Sequence, residues 1–209
     1  GPEPSLKWRT FSEQLMGVAD HFGSSMMLTL GALLADVPHS RPVQIIGTAT
    51  DDDLIDRFEL QRSRYEGPTG IVGVLHDSCY TAAMPSAALW AAVPAYASQV
   101  PSPKASLSLM RRACEIIGTP APVASVMNLI ERYEDQVNSL VNDDEDLAAY
   151  VERLETMSDN GMSLDDEVDD GQLQFDFATD SGDDAADEPD ASTLMDEVEQ
   201  FLREQGDGK

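Results

Sequence analysis

Apolar residues recur at three- and four-residue intervals at Trp8, Phe11, Leu15, Val18, Ala19 and Phe22, and Gly23 follows where a helix end favours a left-handed residue. The spacing predicts a helix over 8–22. Met26 to Leu34 and Val43 to Thr48 are short apolar runs bounded by turn residues, which predicts two strands buried on both faces. Asp51-Asp52-Asp53 precedes Leu54, Ile55 and Phe58, where carboxylates cap a helix and meet its electropositive end. Gly67-Pro68-Thr69-Gly70 opens a helical run from Ile71 to Ala83, and Ser86 to Val93, ended by Pro94, predicts a third strand. Ser102-Pro103, a cap followed by proline in the first turn, starts a helix that runs to Gly118. Beyond Pro120 and Pro122 a single long helical pattern extends from Val123 to about Met157.

The order α-β-β-α-α-β-α-α predicts an α/β domain of α/β/α layers over 1–158, closed by that long helix. Three strands are few for a sheet covered on both faces, which more often has about five or six. The expectation is therefore that the domain is truncated at its N-terminus and that the chain is the C-terminal portion of a larger protein.

Charge divides the chain. From Asp143 onward lie 24 of the 39 acidic residues, opposed only by Arg153, Arg203 and Lys209, so that stretch carries −21 against −5 for residues 1–142. Such a composition buries too little apolar surface to offset its ordering entropy, which predicts a disordered acidic tail over 159–209. Two apolar islands interrupt it. Leu173, Phe175 and Phe177 alternate at strand period; Leu194, Met195, Val198, Phe201 and Leu202 make one stripe of a short amphipathic helix near 192–204. Both are candidate partner-binding segments.

Strong catalytic signatures are lacking: the chain has no GxGxxG, Walker A, HExxH or GxSxG run. Asp165, Glu167 and Asp169 begin like a calcium loop, yet Asp170 stands where glycine is needed and Asp176 where glutamate is. Neither a metal nor another cofactor is expected. Cys79 and Cys114 lie in apolar helical patterns without metal-ligand spacing, which suits inert thiols in a reducing compartment. A strongly negative chain repels phosphate, so nucleic acid is not an expected partner, and no run approaches the length of a membrane span. A cytoplasmic protein is expected. The local feature that stands out is Pro38-His39-Ser40-Arg41-Pro42, a rigid segment whose histidine and guanidinium suit either a bound anion or a salt bridge within the domain.

Four ordered blocks, Val37-Pro38-His39-Ser40-Arg41-Pro42, Tyr65-Glu66-Gly67-Pro68-Thr69-Gly70-Ile71, Leu89-Trp90-Ala91-Ala92-Val93-Pro94 and Pro101-Ser102-Pro103-Lys104-Ala105, resemble the proteasome assembly chaperone 2 family in its actinobacterial branch. The likeness extends over about residues 1–160. Two positions depart from it: the family usually has threonine where Ser40 stands and often histidine where Ala95 precedes Tyr96. The resemblance implies a longer α/β protein and a non-enzymatic, assembly-chaperone-like role. Its implied partners are other proteins, such as proteasome subunits or their regulators, together with further copies of itself as a homo-oligomer. The family's fold also resembles those of nucleoside phosphorylases and peptide hydrolases. The alternative expectation is thus a small-ligand binder or enzyme, with His39, Arg41, Tyr65, Thr69 and Trp90 as pocket candidates.

Overall fold

The computed structural model describes residues 3–63, 70–121, 123 and 126–161. In chain order they form α1 (Trp8–His21), β1 (Met27–Ala35), β2 (Ile45–Ala49), α2 (Asp52–Phe58), β3 (Gln61–Arg62), α3 (Ile71–Thr81), β4 (Ser86–Pro94), a 3-10 turn (Ala95–Ala97), α4 (Pro103–Ile117), α5 (Met127–Asn142) and α6 (Glu145–Asp159). All belong to one compact unit, Gly1–Asp176; a second, Phe177–Lys209, lies outside the described residues, as do both apolar islands of the acidic segment.

Several element ends have a local cause. Gly23 takes φ +61 at the end of α1, and the Ser24 N–H reaches back to the Ala19 carbonyl at 2.9 Å. The Asp51 carboxylate accepts from the Leu54 N–H at 3.1 Å and caps α2, while Ser102 Oγ does the same for Ala105 at the head of α4. Glu3, distant in sequence, accepts from the first N–H of α3.

The sheet runs β1-β4-β2-β3. β4 lies between β1, which it pairs in parallel from Met27↔Ser86 to Ala35↔Pro94, and β2, which it pairs antiparallel. β3, two polar residues long and without an apolar run to announce it, adds a strand beyond the three expected. Ala87, Leu89 and Ala91 on one face of β4 are wholly buried, and these mostly small side chains let α2 and α4 pack close through Leu54, Leu109, Ala113 and Ile116. On the other face, α3 meets the sheet and α1 packs on α3, with Cys79 Sγ 3.7 Å from Met16 Sδ.

Two expectations need correction. The run at 123–157 is two helices rather than one, because the Asp144 carboxylate accepts from the N–H groups of Asp146 and Leu147 at 3.0 and 3.1 Å and starts a new helix. α5 and α6 then fold together around Tyr133, Val137, Val141 and Val151. β1, expected to be buried on both faces, is covered only in part on one of them: Leu33 and Ala35 point inward and Leu28 packs on the core from the other face, where Leu30 is 53% and Leu34 37% exposed.

Candidate functional site

The parallel strands β1 and β4 end side by side at Ala35 and Pro94, and in open α/β sheets the crevice beyond the carboxyl ends of strands is where ligands bind. Two loops meet there, 36–44 after β1 and 95–102 after β4, with the α5–α6 pair beside them.

His39 is buried and bonded at every polar atom. Its backbone N–H donates to Tyr96 Oη at 2.8 Å, and its Nδ1 lies 2.8 Å from the same oxygen. Asn138 Oδ1 can only accept, so Nε2, 2.9 Å from it, carries the ring proton and donates, which leaves Nδ1 to accept from the Tyr96 hydroxyl. Lys104 Nζ closes the set, donating to the His39 carbonyl at 2.8 Å and to Glu134 at 2.7 Å. Burial first of all pushes the Tyr96 hydroxyl up to about 12, so it stays a protonated donor at neutral pH.

Arg41 turns the other way, toward α6. Its Nε and Nη2 each donate at 2.8 Å to one oxygen of Asp159, the bidentate geometry that matches guanidinium to carboxylate, and Nη1 lies 3.5 Å from Glu155. That hydrogen bond is the main reason the Asp159 carboxyl is held below the usual carboxylate range. Ser40 Oγ donates to Glu155. Tyr150 donates at 2.7 Å to Asp36, and its hydroxyl is pushed up to about 12 by burial and then by that carboxylate. The loop after β1 is thereby tied to α4, α5 and α6 by one polar network.

Beside this network runs a groove of about 250 Å³, lined by Ala32 and Val93 from the sheet, Val100 from the loop, Ala105 and Leu109 from α4, and Tyr133 from α5. Its volume lies just under the range of about 300–1,000 Å³ usual for small-molecule pockets.

Of the five pocket candidates, His39 and Arg41 share one loop but direct their polar ends to α5 and α6 respectively. Trp90 lies within β4 on the opposite face from the groove, over Gly31, where a Cβ would fall 2.6 Å from Trp90 Cε3. Tyr65 and Thr69 lie outside the described residues. Tyr96, Lys104, Asn138 and Tyr150 are participants that the sequence did not point to, because their partners stand 57, 65, 99 and 114 residues away. No grouping of three or more potential metal-ligating side chains occurs among the described residues, and none of the described helices is long and apolar enough to cross a membrane.

No curated protein matches the chain. Among solved structures, a PAC2 family protein from Streptomyces avermitilis is 41% identical, with a TM-score of 0.66 over 72% of this chain and 63% of that one. A proteasome-assembly chaperone homologue from Mycobacterium tuberculosis is 42% identical, with a TM-score of 0.63 over 72% and 64%. PbaA from Pyrococcus furiosus, an archaeal homologue of proteasome-assembly chaperone, shares the fold at 14% identity and a TM-score of 0.52, over 76% and 65%. The chain thus spans less than two thirds of the length of each. Residues 1–141 match the PAC2 family model, and the chain belongs to the PAC2 family.

Proposed function

We propose that this chain is a non-enzymatic, cytoplasmic scaffold that binds proteins of the proteasome or its regulators and self-associates. The observation that carries this reading is how the fold distributes its side chains. The polar groups gathered beyond β1 and β4 bond to one another, while apolar side chains are left at the surface: Leu30 and Leu34 on β1, and Val18, Phe22 and Tyr80 at the ends of α1 and α3. Exposed apolar patches on a folded domain suit protein contacts. The 42% identity to a proteasome-assembly chaperone homologue supports the proteasome as the partner class. Leu173, Phe175, Phe177, Leu194, Met195, Val198, Phe201 and Leu202 are the proposed contacts on the acidic segment.

The test is direct association. Purified α- and β-type proteasome subunits of the same cell, mixed with the full chain, are expected to form a complex resolved by native mass spectrometry. Replacement of Val198 and Phe201 by Asp should weaken it while the α/β domain stays folded. Absence of any complex with either subunit at about 100 μM, weaker than typical specific assembly, overturns the proposal.

A second reading draws on the groove, which sits where α/β folds hold small ligands. On that reading Ala32, Val93, Val100, Ala105, Leu109 and Tyr133 are the residues that hold the ligand, and a metabolite library should contain a compound that raises the melting temperature in proportion to the logarithm of its concentration.

A further inference from the structure

Very little backbone separates α5 from α6. Asp143 keeps right-handed helical dihedrals, φ −79 and ψ −8, and its N–H still bonds the Ser139 carbonyl at 3.2 Å, as the next step of α5 would. Asp144 alone departs, at φ −137 and ψ 111, while its carbonyl already accepts from the Ala148 N–H at 2.9 Å. Turning this one residue to helical dihedrals joins the two elements into a single helix over 127–159, about 50 Å long. The side chains that now pack together then stay on one face. Tyr133, Val137, Val141, Ala148 and Val151 follow one another at intervals of four, four, seven and three residues, which is why the sequence reads as one helix.

The contacts that seat α6 lie on other elements. Arg41 holds Asp159 and Glu155, Ser40 donates to Glu155, and Asp36 accepts from Tyr150. Leu147, Ala148 and Val151 pack with Val137 and Val141 of α5 and with Ala97 and Val100 of the loop after β4. None of these contacts requires α6 to belong to the same copy, since an α6 of identical sequence arriving from a second chain meets every one of them.

We propose that Asp144 is the hinge of a helix exchange. Joined to α5, α6 leaves its own domain and takes the same seat on a second copy of this chain, whose α6 does the reverse, which closes a two-fold dimer. The exchange gives up the bonds from the Asp146 and Leu147 N–H groups to the Asp144 carboxylate, and it gains the backbone bonds that two helix ends leave unmade. It also brings Asp143, Asp144, Glu145 and Asp146 of both copies toward the two-fold axis, where like charges repel. Cap and charge together hold the hinge shut in the dilute, unsubstituted chain. This route to a dimer is independent of proteasome binding and of contacts between folded surfaces.

The test replaces the hinge in the full chain. Residues 143–145 are exposed, so substitutions there leave the domain folded. Asp143→Ala with Asp144→Ala removes the cap and favours a continuous helix, and sedimentation should show dimerisation at least about ten-fold tighter than in the unsubstituted chain. Adding Glu145→Pro should return that variant to monomer. Proline fits the first turn of α6 and keeps residue 144 extended, but it breaks a helix running through it. To read the exchange itself, one double-alanine chain carries Arg41→Cys and another Asp159→Cys, both with Cys114→Ser, and a short bis-maleimide should link the two chains when mixed. A double-alanine variant that stays monomeric at about 100 μM overturns the proposal. So does a dimer that persists with Glu145→Pro, and so does a dimer whose positions 41 and 159 fail to link between copies.

Discussion

At the scale of a residue, His76 shows how a buried ionisable group links the elements around it. From α3 its Nε2 lies 2.9 Å from Thr29 Oγ1 on β1 and its Nδ1 2.9 Å from Ser86 Oγ on β4, so the imidazole joins the two parallel strands at their starts. Both partners are neutral hydroxyls that accept or donate as the ring requires, and no carboxylate among the described residues is bonded to it to reward a positive charge. Burial accordingly lowers its pKa. An unfolded histidine protonates near about 6.5, whereas the folded one waits for a lower pH. Between the two values the unfolded chain binds more protons, and folding stability falls as the pH drops. The difference in unfolding free energy between the unsubstituted chain and His76→Gln should be constant above about pH 7 and should shrink below about 6.5, by at most about 1.4 kcal/mol per pH unit. Urea titrations of both proteins from pH 5 to 8 measure it, and a difference that is flat throughout, or that grows toward acid pH, contradicts the assignment.

At the scale of an element, what the sequence revealed depended on whether the cause was local. The helix beginning at Ser102-Pro103, the cap at Asp51 and the stop at Gly23 were legible because cap, proline and glycine act on backbone groups within a few residues. The break between α5 and α6 was hidden: Asn142-Asp143-Asp144 reads as a polar helix face, and only the capping geometry of Asp144 shows it as a boundary. β3 is too short to have a period. The site was legible only as the rigidity of Pro38–Pro42, since the His39 network closes through pairs with no fixed spacing. That network is what binds α5 to the loop after β1. Tyr96→Phe removes one hydroxyl and leaves the buried His39 N–H and Nδ1 without their shared partner, a loss of about 1–3 kcal/mol. The urea midpoint should fall with an unchanged slope, and equally at pH 7 and 9, because the hydroxyl titrates only at about 12. A midpoint within error of the unsubstituted protein would mean that water replaces the hydroxyl without penalty and that the network does not hold the helix.

At the scale of the whole molecule, two opposed surface properties decide association. Val18, Phe22 and Tyr80 are 54%, 76% and 77% exposed on two helices that pack together, α1 and α3, and they favour contact between copies. A net charge of −26 opposes it, because each approaching copy brings the same sign. Salt acts on the second and barely on the first: the Debye length falls from about 30 Å at 0.01 M to about 3 Å at 1 M, while apolar burial persists. The full chain should therefore sediment as a monomer at low ionic strength and associate increasingly as sodium chloride is raised at a fixed protein concentration. Phe22→Glu together with Tyr80→Glu should leave it monomeric across the range, with the domain still folded because both side chains lie at the surface. If association is instead strongest at low salt, ion pairs hold the copies together, and the α1–α3 surface is not what they share.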